Sequence, residues 1–193
     1  MLYRFSMRIL PRSTGVALAA LATLLLSGCV PSAPVVTPEP LPTSTPVFAS
    51  DADALAAATD AYRGYTQAVD VALSSYDLQW LAEVALDAAL KQATDRVAEY
   101  KSNEEHQVGR TTVESTSLVT SGSSLGTSGH DEPFQIYACL DLSDVNVFDS
   151  SGISRVDSDR PDRIPMIVGL TWRNDRGTFV VTEEDLWGGN GVC

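Results

Sequence analysis

Apolar residues recur at steps of three and four from Leu55 through Ala58, Tyr62, Tyr65, Val69 and Leu73. That spacing puts them on one face of a helix. Ser50-Asp51-Ala52-Asp53, just ahead of the run, has the form of an N-terminal cap. Gly64 interrupts the run at a cost of about 1 kcal/mol relative to alanine, which marks a place where a neighbour packs closely. A second start signal, Ser74-Ser75-Tyr76-Asp77, precedes Leu78, Leu81, Val84 and Ala85 at helical spacing. Leu86, Leu90, Ala93, Val97 and Tyr100 then form a stripe on a different face. The change of face predicts a short helix, a bend between Glu83 and Asp87, and a longer helix to Ser102.

Beyond "SNEEH" the period drops to two. "GRTTVESTSLVTS" alternates and is rich in β-branched residues, the mark of a strand. "SGSSLGTSGH" reads as a loop, and its glycines are not a phosphate cradle because no Lys-Ser/Thr pair follows them. "EPFQIYACLDLSDVNVFD" is strand-like, with Phe134, Ile136, Ala138 and Leu140 on one face and Tyr137 and Cys139 on the other. "SSGISRVDSDRPDR" is a turn region. "IPMIVGLTWRNDRGTFVVTEEDLWG" is a hairpin around Asn174-Asp175-Arg176-Gly177, with Ile164, Met166, Val168, Leu170 and Trp172 sharing a face.

Helices followed by about four antiparallel strands make an α+β domain over residues 50–193. This order resembles the NTF2-like (SnoaL-like) superfamily. The resemblance implies a strongly bent antiparallel sheet, a cone whose mouth the N-terminal helices close. Cys139-Leu140-Asp141-Leu142-Ser143, together with the stretch from Trp187 to Cys193, is also similar to segments of actinobacterial lipoproteins that carry such a domain.

The N-terminus points the same way. Arg4, Arg8 and Arg12 precede an apolar run from Val16 to Leu26 that is broken only by Thr23. A basic segment followed by a short apolar one is a leader, too short for the ~20 residues of a spanning helix. Met7 is an alternative start. Leu26-Ser27-Gly28-Cys29 resembles the bacterial lipobox. The resemblance implies removal of residues 1–28, lipidation of the Cys29 thiol, and anchoring on the extracytoplasmic side of the cell membrane. Two acyl chains, at about 0.8 kcal/mol per buried methylene, give a stable anchor. Residues 29–49 then form a tether. The stretch 31–50 carries six prolines among serines and threonines, an extended spacer of ~3.1 Å per residue.

Loss of the leader removes three arginines and no acid, so the formal charge moves from −12 to −15. Such a surface repels nucleic acid. Export also favours pairing the two remaining cysteines, Cys139 and Cys193, in a disulfide. The other reading, a reactive Cys139 thiol, lacks a neighbouring histidine in sequence.

A bent sheet under helices leaves a concave interior for a ligand. Tyr62, Tyr65, Trp80, Tyr137, Trp172 and Trp187 are the aromatics expected to line it, or to fill it as core. Asp141 is the expected interior carboxylate, with a turn cap as its other reading. Enzymes of the NTF2-like fold use a carboxylate or histidine inside the cone. His106 and His130 fall in polar turns, and no catalytic residue carries over. Asp157-Ser158-Asp159-Arg160-Pro161-Asp162 lacks the glycine and distal glutamate of a calcium loop, and its arginine is available to its acids. No Gly-x-Ser-x-Gly elbow is present. No metal or cofactor is expected. The resulting expectation is a membrane-anchored, non-catalytic module that binds a protein partner or a small apolar ligand. The alternatives are a small isomerase- or dehydratase-like enzyme and a structural surface protein with a filled cone.

Overall fold

A computed structural model describes residues 47–119 and 134–193 of the chain. The leader, Cys29, most of the spacer, the "SGSSLGTSGH" loop and His130 lie outside the described residues. The chain divides into Met1–Pro40 and a compact unit, Leu41–Cys193, to which every described residue belongs.

Helix α1 spans Asp51–Ser75. The Ser50 hydroxyl accepts from the Asp53 amide at 3.1 Å, closing the cap expected there. The helix stops where Tyr76 turns left-handed, at φ 61°, and donates its amide to the Ala72 carbonyl. Its buried face holds Ala58, Tyr62, Tyr65, Val69 and Leu73, as the spacing predicts, with Ala54, Ala68 and Ala72 beside them. Gly64 departs from expectation: a Cβ added there meets nothing within 4 Å. The fold begins slightly ahead of the helix. Phe48, assigned by composition to the spacer, packs on Trp172 and Phe179 at ring distances of 4.9 and 5.5 Å.

Helices α2 (Leu81–Val84) and α3 (Asp87–Ser102) flank the expected bend. The bend has a function in the fold. Ala85 is extended and bridges Val181 in parallel, and the Leu86 amide donates to the Val181 carbonyl at 2.8 Å. This contact shields part of an edge strand that would otherwise be open to pairing.

Six strands follow: β1 His106–Val108, β2 Thr112–Leu118, β3 Phe134–Asp141, β4 Asn146–Phe148, β5 Arg163–Arg173 and β6 Thr178–Leu186. They make two antiparallel sheets, a two-stranded β1-β4 and a four-stranded β2-β3-β5-β6. The fold is therefore α+β, with helices packed on antiparallel sheets. The segment read from sequence as one strand from Phe134 to Asp149 divides at 142–145, and its second part joins β1 in the small sheet.

One face of the large sheet meets the helices. Ile136, Ala138 and Leu140 of β3 stand opposite Val168, Met166 and Ile164 of β5, and Leu118 continues the Ile136 row onto β2. The other face carries Tyr137 and Cys139. Trp187 packs on Tyr137 in a tilted arrangement with ring centroids 4.7 Å apart, and the Cys139–Cys193 disulfide joins the C-terminal segment to β3 with the Cα atoms 5.1 Å apart. Two bulges break the ladders, at Glu114 in β2 and at Thr182 in β6.

Candidate functional site

The site is built on β6. Phe179 and Val181 face the helices, opposite Trp172 and Leu170. Strict alternation would next turn Glu183 and Asp185 inward. The bulge inserts Thr182, so Val168 faces Glu184 and Met166 faces Leu186. An extra residue that re-aims a side chain is a common use of bulges. Gly169 permits the close approach, since a Cβ there would sit 3.2 Å from Glu183 Cβ.

Glu184 thus ends the inward row Leu118, Ile136, Val168 as a carboxylate only 8% exposed. Helix α1 supplies its partners. The Tyr62 hydroxyl donates to Oε1 at 2.7 Å and the Tyr65 hydroxyl to Oε2 at 3.2 Å. The two rings stack, with centroids 6.1 Å apart. Burial raises both phenol pKa values well above the usual range, and the neighbouring Glu184 charge adds to the effect.

Glu184 and Tyr65 open onto a cavity of about 660 Å³ between α1, α3 and the two sheets. Val69, Leu73, Leu140, Val145, Ile164 and Met166 give it an apolar wall. Leu186, 73% exposed, stands at its rim. Asp70 also lines it, but its oxygens are engaged: Oδ1 accepts from Gln107 Nε2 at 2.6 Å and from the Thr111 hydroxyl at 2.8 Å, and Oδ2 from the Thr111 amide at 2.8 Å. Arg96, Tyr100 and Arg160 complete the polar lining on the side of α3.

Among the residues expected from sequence to surround a pocket, the cavity takes in Tyr65 alone. Tyr62 lies fully buried behind it. Trp172 joins the Phe48–Phe179 cluster, and Trp80 is 56% exposed at the start of α2. Tyr137 and Trp187 pack together on the opposite face of the sheet. Asp141 is a turn cap: it accepts from the Ser143 amide at 2.9 Å, and that bond, with Arg163 nearby, holds its pKa below the usual carboxylate range. His106 belongs to β1, not to a turn, and lies exposed beside Phe148. Arg160 does not pair with the acids around it. Its Nη2 donates to the Leu142 and Val145 carbonyls, both at 2.9 Å. Among the described residues no group of three or more His, Cys, Asp or Glu side chains is placed to hold a metal ion. Nor is any helix there long and apolar enough to cross a membrane.

Sequence reasoning missed Glu184. The available signal was "TEED" after a β-branched pair, but period-two counting from Phe179 sends Glu184 outward.

No family model matches the chain, and no curated protein matches it. Among solved structures it is similar to the intermembrane space region of the chloroplast protein ARC6. That likeness has 14% identity and a TM-score of 0.47, and covers 70% of this chain and 97% of that one.

Proposed function

We propose that this protein is an exported lipoprotein, tethered through Cys29, whose α+β domain is an NTF2-like cone that binds a small, largely apolar molecule without transforming it. The observation that carries this reading is the cavity of about 660 Å³ with an apolar wall. Its volume falls within the range of about 300–1,000 Å³ typical of small-molecule sites. The helices on one face of a four-stranded sheet, and the bulges at Glu114 and Thr182, support a bent cone. The leader, the lipobox-like Leu26-Ser27-Gly28-Cys29 and the proline-rich spacer support the tether.

Binding is favoured over catalysis by how the carboxylates are used. A general base must reach the proton that it abstracts. Each oxygen of Glu184 already accepts a phenol hydrogen, and Asp70 accepts three bonds from its surroundings. Both acids hold elements together. Glu184 ties α1 to β6, and Asp70 ties α1 to β1 and to Thr111.

Native mass spectrometry of the protein, gently purified after export, tests the reading. A small apolar molecule retained at one per chain and lost on activation is the expected result. A chain that binds no apolar or amphipathic probe, in the titrations described below, overturns it.

A further inference from the structure

The cavity's charged groups divide sharply into used and unused. Glu184 and Asp70 are engaged by donors from the fold itself. Asp185, the third acid of the lining, is on the exposed side of β6. The two arginines are different. Arg63, Arg155, Arg163, Arg173 and Arg176 each meet a carboxylate, but Arg96 and Arg160, like Arg110 outside the cavity lining, have none among the described residues. This occurs in a chain whose acids outnumber its basic residues, 25 to 13. Arg160 is fixed by the Leu142 and Val145 carbonyls, and its Nε is buried with no acceptor among the described residues. Arg96 is exposed along α3, one turn before Tyr100. Both guanidinium groups favour the ionised form of the Tyr100 phenol, while burial, the larger effect, and the Glu105 and Glu99 carboxylates oppose it. On the side of α3 the cavity lining thus holds two arginines, and it adjoins the apolar wall of Val69, Leu73, Val145 and Ile164.

Resting on the binding reading above, we infer that the ligand is an amphiphile with an anionic head, a carboxylate or a phosphate on an apolar tail. The tail lies along the apolar wall. The head lies against the Arg96 guanidinium, with the Arg160 charge beside it in the lining. Guanidinium forks suit both kinds of oxyanion.

Calorimetric titration of the purified, exported protein with decanoate, decyl phosphate and decanol tests the inference. Decanoate or decyl phosphate should bind on the order of tenfold more tightly than decanol. The tighter of the two identifies the head as carboxylate or phosphate. Arg96→Gln should bring binding of the two anions down toward that of decanol, and Arg96→Lys should restore part of the advantage. Arg96 is exposed and makes no ion pair with a carboxylate among the described residues, and a thermal melt of each variant checks that the fold is kept. Arg160 is left intact because its bonds hold two carbonyls. Equal binding of all three probes, or an anion preference that survives Arg96→Gln, overturns the anionic head and leaves the binding module standing. Absence of binding by all three overturns both.

Discussion

At the scale of single residues, the tie between Glu184 and the two tyrosines has a signature in pH. In the unfolded chain tyrosines release their protons near pH ~10. In the folded protein Tyr62 and Tyr65 hold theirs to higher pH, because burial and the Glu184 carboxylate oppose a phenolate. Above pH ~10 the folded state therefore binds more protons than the unfolded one. Stability that is fully present below that pH is lost as the pH rises, by about 1.4 kcal/mol per unit for each tyrosine. Urea midpoints measured between about pH 9 and about pH 11 should show the decline, and Tyr65→Phe should make it shallower. An unchanged slope in Tyr65→Phe would remove that phenol from the account. Gly64 gives the opposite kind of test. It lies in a helix with open space where its Cβ would be, so Gly64→Ala should raise stability by about 0.5–1 kcal/mol. A loss of stability would mean that some neighbour needs that space. Sequence alone misleads here, because a glycine in a helix signals either close packing or nothing, and only the surroundings distinguish them.

Elements were more legible than the site they build. Step-of-three spacing gave α1 and its face, and the change of stripe at Leu86 gave the bend before α3. Alternation gave β3, β5 and their inward rows. The same alternation already placed Tyr137 and Asp141 opposite the apolar row of β3, so neither could share a pocket with Ile136. The bulge was not legible. It arises from how β6 lies against β5, a tertiary matter, and one inserted residue reverses the face of everything after it. Gly169, facing that bulge, gives a handle on it. Gly169→Ala puts a methyl 3.2 Å from Glu183 Cβ and should cost about 1–3 kcal/mol as overpacking, read from chemical denaturation. The damage should be local: in an amide exchange experiment, β6 and the Ala85–Leu86 bend should lose protection while β2 keeps it. Uniform loss across the sheet would argue against a bulge-centred effect.

At the scale of the molecule, the covalent link and the proposed tether are tested separately. The Cys139–Cys193 bond closes a loop of 54 residues. In the chain-entropy account, a loop of that length raises stability by roughly 4 kcal/mol, before any native-state strain is subtracted. Cys139→Ser and Cys193→Ser should each cost up to about that much, and the double variant little more than either, because both remove one bond. Additive losses in non-reducing urea titrations would show that the cysteines act separately. The proposed tether should leave the stability of the folded unit unchanged. Cys29→Ala should move the protein from the membrane to the soluble fraction after cell fractionation, and a folded variant that stays with the membrane would refute the anchor.

The buried carboxylate also bears on the order of folding. Tyr62 and Glu184 are 122 positions apart. Helix α1 presents its two phenols long before the strand that accepts their hydrogen bonds has been made. Contacts of such separation bring slow folding, because a long loop must close before they give anything back. Until β6 docks, the inward face of α1 has no acid to meet and the cavity no floor. The tie between α1 and β6 is therefore closed only once the last strand has been made, whereas Asp70 can join α1 to β1 and Thr111 before then.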